Sequence, residues 1–185
     1  MSVVSSATSL TNTYYLRNFY SNNRAAFATS TRRNYSSVEL SYEDSLALHN
    51  AARRLQKYSY DSNENGSNIY SSIVATVDTY NNAMNSGKEN GSQTVTRYTK
   101  QLKALSSKYS KELKAIGITV NSDGSLKANE NLIKSSSLDD IKAAFGKDSG
   151  FTKQLERISK KMNAASREDV FTEATGKGTA INITV

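Results

Sequence analysis

The longest periodic pattern of apolar residues in this chain lies between Ser92 and Ile116. Large apolar or aromatic side chains recur there at steps of three and four residues, which places them on one stripe of an α-helix. Such a stripe must be buried against another helix, and Gly117 follows it where a C-terminal glycine would stand. The pattern predicts a helix from Ser92 to Ile116 whose buried positions are Val95, Tyr98, Leu102, Leu105, Tyr109, Leu113 and Ile116.

Two shorter periodic stretches precede this helix. The first should begin near Ser41, whose hydroxyl would cap a helix with Glu43 and Asp44 in its first turn, and should run to about Tyr58. A turn-rich break over 59–66 separates it from the second. The predicted inner faces are Leu48, Ala52 and Leu55 in the first helix and Ile69, Ile73, Val77, Tyr80 and Met84 in the second, which should stop at Asn85-Ser86-Gly87.

After Gly117 the elements become short. Asn121-Ser122-Asp123-Gly124 separates two apolar patches and suits a small β-hairpin over 118–126. A helical turn at Leu132 and Ile133 and a short helix from about Ser137 to Gly146 should follow. A last helix then carries Phe151, Leu155, Ile158, Met162 and Ala165 at steps of four and three residues, so it should lie beside the Ser92–Ile116 helix.

These elements predict a mainly α fold: an elongated antiparallel helical bundle with a small β-hairpin or turn excursion. We expect three parts: a mobile or loosely packed N-terminal segment over 1–40, a helical bundle domain over 41–170, and a strand-like C-terminal tail over 171–185. The tail alternates β-branched with polar residues, so we expect an edge strand or a segment that awaits a partner.

Composition narrows the classes of function. The chain has no Cys, so disulfides, thiolate metal sites and Cys nucleophiles are excluded, and it has no Pro, which favours uninterrupted helices. No run of eighteen apolar residues occurs, and the first residues lack the basic and apolar regions of a cleaved signal. We therefore expect no membrane span, and either a cytoplasmic location or export without signal cleavage.

The excess of basic over acidic residues suggests nucleic acid or anionic membranes as partners, since the formal charge is +7 and the pI is near 9.5. The basic residues are scattered, however, and the lysines of the Ser92–Ile116 helix lie off its apolar stripe. The pattern is typical of a solvated helical face, so nucleic-acid binding is not the expected function.

The residues that could carry catalysis are few. His49 is the only histidine and has no identifiable partner for a triad or a metal cluster. No nucleophile-elbow motif and no phosphate-binding glycine loop occur. The chain is therefore predicted not to be an enzyme, and no catalytic residue, metal site or cofactor is assigned.

One stretch partly fits a calcium-binding loop. With Gly124 at the sixth position, Asn121 and Asp123 take positions three and five, and Glu130 takes position twelve. Position one is Thr119, where a carboxylate is needed, and position nine adds a lysine. An ordinary turn without a bound ion is the simpler interpretation of these residues.

The region from Val77 to Leu155, somewhat under half of the chain, resembles the C-terminal part of the flagellar hook-associated protein 2 family, the filament cap proteins. The first matching piece is Val77-Asp78-Thr79-Tyr80-Asn81-Asn82, which resembles the family's V-x-x-Y-N helix. The others, in order, are Ile116-Gly117-Ile118-Thr119, Asp123-Gly124-Ser125-Leu126, Leu132, Ile141, Phe145, Gly150 and the heptad helix at Phe151, Leu155 and Ile158.

The resemblance implies a helical stalk domain that oligomerises at the distal end of the flagellum and is exported without a cleaved signal. The sequence thus predicts a structural or assembly protein that acts through protein-protein contacts, with flagellar axial proteins or further copies of itself as partners. The apolar residues that would form a seam with a partner, or else close the core of one chain, are Tyr98, Leu102, Leu105, Tyr109, Leu155, Ile158 and Met162.

An alternative of a different class is a cytoplasmic basic adaptor or regulator. It would bind nucleic acid or an acidic protein through Arg32, Arg33, Arg53 and Arg54.

Overall fold

The computed structural model describes residues 21, 32–61 and 66–176. The predicted mainly α fold with one small hairpin is confirmed. In chain order the elements are α1 (Ser37–Lys57), α2 (Gly66–Glu89), α3 (Gln93–Lys108), α4 (Ser110–Ala115), β1 (Ile118–Val120), β2 (Leu126–Ala128), α5 (Glu130–Ser135), α6 (Leu138–Phe145) and α7 (Gly150–Gly176).

The four long helices form a bundle in which neighbouring helices run antiparallel. Both α1 and α3 pack against α2 on one side and against α7 on the other. Ser41 meets Ser166, and fifteen residues further along α1 Gln56 meets Glu156, so α1 and α7 run in opposite directions. The tight turn between α2 and α3 makes those two antiparallel as well, which gives an up-down-up-down bundle.

The apolar residues predicted for the helix stripes fill the core of this bundle. Ten of the predicted positions on α1, α2, α3 and α7 are wholly shielded from solvent, at 0% exposure: Leu48, Ala52, Leu55, Ile69, Ile73, Tyr80, Val95, Leu102, Leu155 and Met162. The α3 and α7 helices lie side by side, as their matching periods predicted.

Helix α2 is more deeply buried than its apolar stripe indicates. Ser72, Thr79 and Ser86, spaced by seven residues, are buried together with the apolar positions. Each hydroxyl donates a hydrogen bond to a carbonyl four residues earlier in the same helix, so its burial leaves no donor unpaired. Small hydroxyl residues thus act as core residues here, a role that hydrophobic periodicity does not reveal.

The predicted start of α1 was wrong. The helix begins at Ser37, and Ser36 is its cap: the Ser36 hydroxyl accepts from the Glu39 N–H, and the Glu39 carboxylate accepts from the Ser36 N–H. This reciprocal pair is a capping box. Ser41, the predicted cap, lies inside the helix, where its hydroxyl is buried against that of Ser166.

The predicted stop at Gly87 was also wrong, since α2 continues to Glu89. Gly87 lies inside the helix, at a point where α3 and α7 come very close to the α2 backbone. A Cβ atom at this position would collide with the Thr99 hydroxyl and the Met162 methyl group. The residue that leaves the helical conformation is Gly91, with φ of 82°.

The helix predicted over Ser92–Ile116 is two helices, because Tyr109 interrupts it with φ −99° and ψ 17°. The Tyr109 ring packs edge-on against Phe151 at this break, with ring centroids 5.7 Å apart. Burial continues through the break at Leu113 and Ile116. Gly117 then ends α4 with φ of 83°, as predicted.

The hairpin and the short helix α6 are as predicted. Ile118, Thr119 and Val120 pair with Ala128, Lys127 and Leu126 in an antiparallel register. The Ser137 side chain caps α6 by accepting from the Asp140 N–H.

The ends of the bundle differ from the predicted boundaries. Helix α7 reaches Gly176, so residues 171–176, which were assigned to the strand-like tail, are helical. The bundle begins before residue 41, and most of the N-terminal segment and the rest of the tail lie outside the described residues. None of the helices in the described ranges is long and apolar enough to cross a membrane.

Candidate functional site

The best-defined polar site in the described residues joins α2 to the hairpin. The Asn81 amide nitrogen donates to the Leu126 carbonyl at 2.8 Å, and the Asn81 amide oxygen accepts from the Leu126 N–H at 2.8 Å. One side chain thus satisfies both backbone groups of a strand residue 45 positions further along the chain.

Tyr80, the residue before Asn81, makes the second connection. Its hydroxyl is buried and lies 3.0 Å from the Leu102 carbonyl, 3.0 Å from the Ser106 hydroxyl and 3.1 Å from the Gly124 carbonyl. Burial raises the pKa of Tyr80 to about 12, so the hydroxyl keeps its proton and serves as a donor. We call Tyr80, Asn81, Ser106, Gly124 and Leu126 the hairpin junction.

The hairpin junction brings together two of the motif segments on which the family resemblance depends. Tyr80 and Asn81 belong to the V-x-x-Y-N segment, and Gly124 and Leu126 belong to the Asp-Gly-Ser-Leu turn. Val77, which opens the first segment, is buried in the same core. The two motifs are therefore parts of one contact.

The loop that partly fits a calcium site is closed by its own hydrogen bonds. One oxygen of Asp123 accepts from the Ser125 N–H at 2.9 Å and from the Ser125 hydroxyl at 2.7 Å, and these bonds lower the pKa of Asp123. The Asn121 amide donates to the same Ser125 hydroxyl. Glu130 is 3.3 Å from the Lys134 ammonium. Nowhere in the described ranges do three or more metal-ligating side chains come together.

The apolar residues named as a seam or a core lie inside the chain. Leu102, Leu105, Leu155, Ile158 and Met162 are buried in the bundle. Tyr98 and Tyr109 are half-buried and pack against the same core. Of the two alternatives left open by the sequence, these residues close the core of one chain.

His49 lies half-buried on α1 next to Glu156, Arg53 and Lys160. Burial is the largest influence on the ring and lowers the pKa of His49 below 6.5. Its Nδ1 atom is buried and has no hydrogen-bond partner. Among the described residues, no carboxylate hydrogen-bonds to this nitrogen.

The four arginines named for the alternative function do not form one surface. Arg32 precedes α1 and binds Asp44, whereas Arg53 and Arg54 lie near the other end of that helix. Arg53 is 4.0 Å from Glu156, and Arg54 donates to the Tyr58 hydroxyl at 3.0 Å.

Asp44, which the sequence placed in the first turn of a helix, is a buried carboxylate. Its side chain is fully shielded, and both its oxygens accept from the Arg32 guanidinium, the longer bond being 3.0 Å. The Ser86 hydroxyl on α2 lies beside it as well. Burial raises the pKa of Asp44, although Arg32 and Ser86 act in the opposite direction. Asp44 therefore fastens the segment before α1 to the bundle.

No protein-family model, curated protein or solved structure matches this chain. The resemblance to the filament cap family remains a prediction from the motif residues.

Proposed function

We propose that this chain is a non-catalytic assembly protein that works through protein-protein contacts, in the manner of part of the flagellar filament cap. Its place of action would be the bacterial flagellum or the outside of the cell. The observation that carries the proposal is the hairpin junction, where two of the motif segments of the resemblance meet.

The meeting of these segments matters because they are far apart in the sequence. Segments that belong to one shared fold should meet, whereas chance matches need not. Here Asn81 and Leu126 pair through both a donor and an acceptor, and Tyr80 bonds to Gly124. The identities Tyr and Asn are thus explained by a single structural task, the attachment of a hairpin to a helical bundle.

The bundle would then serve as a rigid support with partner contacts on its outer surface, because its heptad stripes are used internally. The large apolar side chains that stay exposed in the described ranges are Leu132, 52% exposed, and Phe171, 67% exposed. Leu132 lies on α5, directly after the hairpin, and Phe171 lies near the end of α7.

The test has two measurements. The first is the mass of the purified chain by light scattering after size-exclusion chromatography, over a range of concentrations at about 0.05 M and 1 M NaCl. The second is co-sedimentation of the chain with assembled flagellin filaments and with hook-protein assemblies. We expect a defined oligomer that survives high salt, or sedimentation with one of the assemblies.

A variant with Leu132→Ser and Phe171→Ser should weaken either association, whereas Asn131→Ser with Thr172→Ser, at exposed neighbouring positions, should leave it unchanged. A monomer under all conditions that sediments with neither assembly would refute the proposal.

A further inference from the structure

Positive charge is concentrated on the outer surface of α3 and α4. The segment over 93–115 carries a single acidic residue, Glu112. Its basic residues are all exposed, and we call them the lysine face: Arg97, Lys100, Lys103, Lys108, Lys111 and Lys114. Helix α7, by contrast, mixes five basic with four acidic residues along its length.

The charges of the lysine face are not compensated by carboxylates of the described residues. None of its six members forms an ion pair with a carboxylate of the described residues, although such pairs occur on other helices. Several members are neighbours at a spacing of three residues, as Arg97 is to Lys100 and Lys111 is to Lys114. Like charges at this spacing destabilise a helix by about 0.2–0.5 kcal/mol per pair. These like-charge neighbours therefore do not stabilise the isolated chain.

The lysine face is held in place by the core beneath it. Leu102, Leu105 and Leu113 on the inner side of the same helices are buried. Arg97 lies over the Tyr98 ring at 5.2 Å, and the Lys108 ammonium lies over the Tyr109 ring at 5.3 Å. A partner would thus bind to charges that are already fixed in position on a folded helix. Binding would not have to offset the entropy cost of forming that helix.

We propose that the lysine face binds an acidic helix of a partner protein. Within α3, Arg97, Lys100 and Lys103 follow one another at about 4.5 Å along the axis, and Lys108, Lys111 and Lys114 repeat the three-residue spacing after a five-residue step. Acidic residues three or four positions apart on a second helix repeat at nearly the same interval. This inference rests on the proposed function, because it specifies the kind of protein partner that the assembly protein would bind.

The composition of the face favours a protein over a nucleic acid. Five of its six members are lysines, and the one guanidinium already lies against Tyr98. Tyr98 and Tyr109 are half-buried against the core, so neither ring offers an open platform on which a base could stack. The charges run along the side of the helix and not around a helix N-terminus that could bind phosphate.

The test uses defined probes. The first is a helical peptide of about 20 residues, the length of the face, with glutamates on one side and alanines elsewhere, and the second replaces its glutamates by glutamines. A duplex DNA of about the same length is the third. Binding of each is measured by fluorescence anisotropy at about 0.15 M NaCl, where distant surface charges are screened.

Two variants locate the binding. Lys100→Gln, Lys111→Gln and Lys114→Gln together remove half of the lysine face. Lys57→Gln, Lys147→Gln and Lys160→Gln remove the same charge from exposed positions elsewhere, and none of these six lysines is in an ion pair with a described carboxylate. Circular dichroism and thermal unfolding of both variants show whether the bundle is intact.

We expect the glutamate peptide to bind the wild-type chain, the first variant to lose at least about tenfold in affinity, and the second variant to change by less than about twofold. No binding of the glutamate peptide, or an equal loss in both variants, would overturn the inference. Tighter binding of the DNA, lost in the first variant, would overturn it in favour of a nucleic-acid surface. The light-scattering and co-sedimentation results decide the proposed function separately, because they do not depend on the glutamate peptide.

Discussion

The Asn81 side chain pairs with the Leu126 backbone as a neighbouring strand would, with one bond donated and one accepted, each 2.8 Å long. Strand β2 is an edge strand of a two-stranded sheet, and an isolated hairpin of this size has little stability in water. The amide closes the outer edge of β2 at Leu126 and joins the hairpin to α2. The sheet thus depends on the bundle for its position.

Replacement of Asn81 by Ala should destabilise the protein by about 1–3 kcal/mol, because it leaves both backbone groups of Leu126 without their partner. The free energy of unfolding from urea titration measures the loss. Amide hydrogen exchange should speed up most in the hairpin, relative to the wild-type protein. Asn85→Ala, one turn further along α2 at an exposed position, is the control and should change stability by less than about 0.5 kcal/mol. Equal exchange rates for the hairpin in wild type and Asn81→Ala would contradict this account.

Gly87→Ala tests the close approach of three helices. Alanine should favour an isolated helix over glycine by about 1 kcal/mol, so a purely local effect would stabilise the protein. The new methyl group would collide with Thr99 and Met162, and we expect a net loss of about 1–3 kcal/mol from the forced separation. Thermal unfolding decides the sign. Gly66→Ala, where the added Cβ would meet only Tyr70 at 3.6 Å, should cost little, and a stabilised Gly87→Ala protein would disprove the packing role.

Arg32→Met should destabilise the protein by about 3–5 kcal/mol at pH 7, since it leaves the buried Asp44 carboxylate without its cation. Burial already raises the pKa of Asp44, and loss of Arg32 would raise it further. An acid whose pKa is raised on folding costs stability above its folded pKa, and this cost fades as the pH falls toward the unfolded value of 3.8. The difference between Arg32→Met and wild type should therefore shrink from pH 7 to pH 4.5.

Urea titrations at several pH values measure this difference. Arg33→Met, at the exposed neighbouring position, is the matched control and should be nearly neutral throughout. A loss in Arg32→Met that stays constant with pH would show that the guanidinium acts by packing alone.

His49 should make the protein less stable in mild acid. Burial lowers the pKa of His49 in the folded state, so the unfolded chain binds the proton more readily. The contribution to stability is complete above the unfolded pKa of 6.5 and is lost as the pH falls from there through the folded value. The midpoint of thermal unfolding should fall between pH 7.5 and 5.5, and His49→Gln should flatten the profile. As this is the only histidine, an unchanged slope in the variant would rule out the mechanism.

The sequence alone determined roughly where the helices lie and which large apolar side chains are buried in them. Leu48, Ile73, Leu102 and Leu155 could be placed in the core because burial of apolar area dominates folding and leaves a helical period in the sequence. Gly117 and the Asn-Ser-Asp-Gly turn could be read for the same kind of reason, since their backbone conformations favour particular residues.

Only the tertiary structure decided the polar contacts. The pairing of Asn81 with Leu126 and of Arg32 with Asp44 depends on which elements meet, and no local pattern marks a side chain that will satisfy a distant group. The seven-residue spacing of Ser72, Thr79 and Ser86 was present in the sequence, but its meaning depended on close neighbours on several sides of α2.

The structure also decided that Gly87 serves packing and that the heptad stripes of α3 and α7 close a core. A periodic stripe shows that a helix face must be covered, yet helices of the same chain and of a partner cover it equally well. In this protein, helices of the same chain cover the stripes. Such helices are linked covalently, so their packing does not require association with a second molecule.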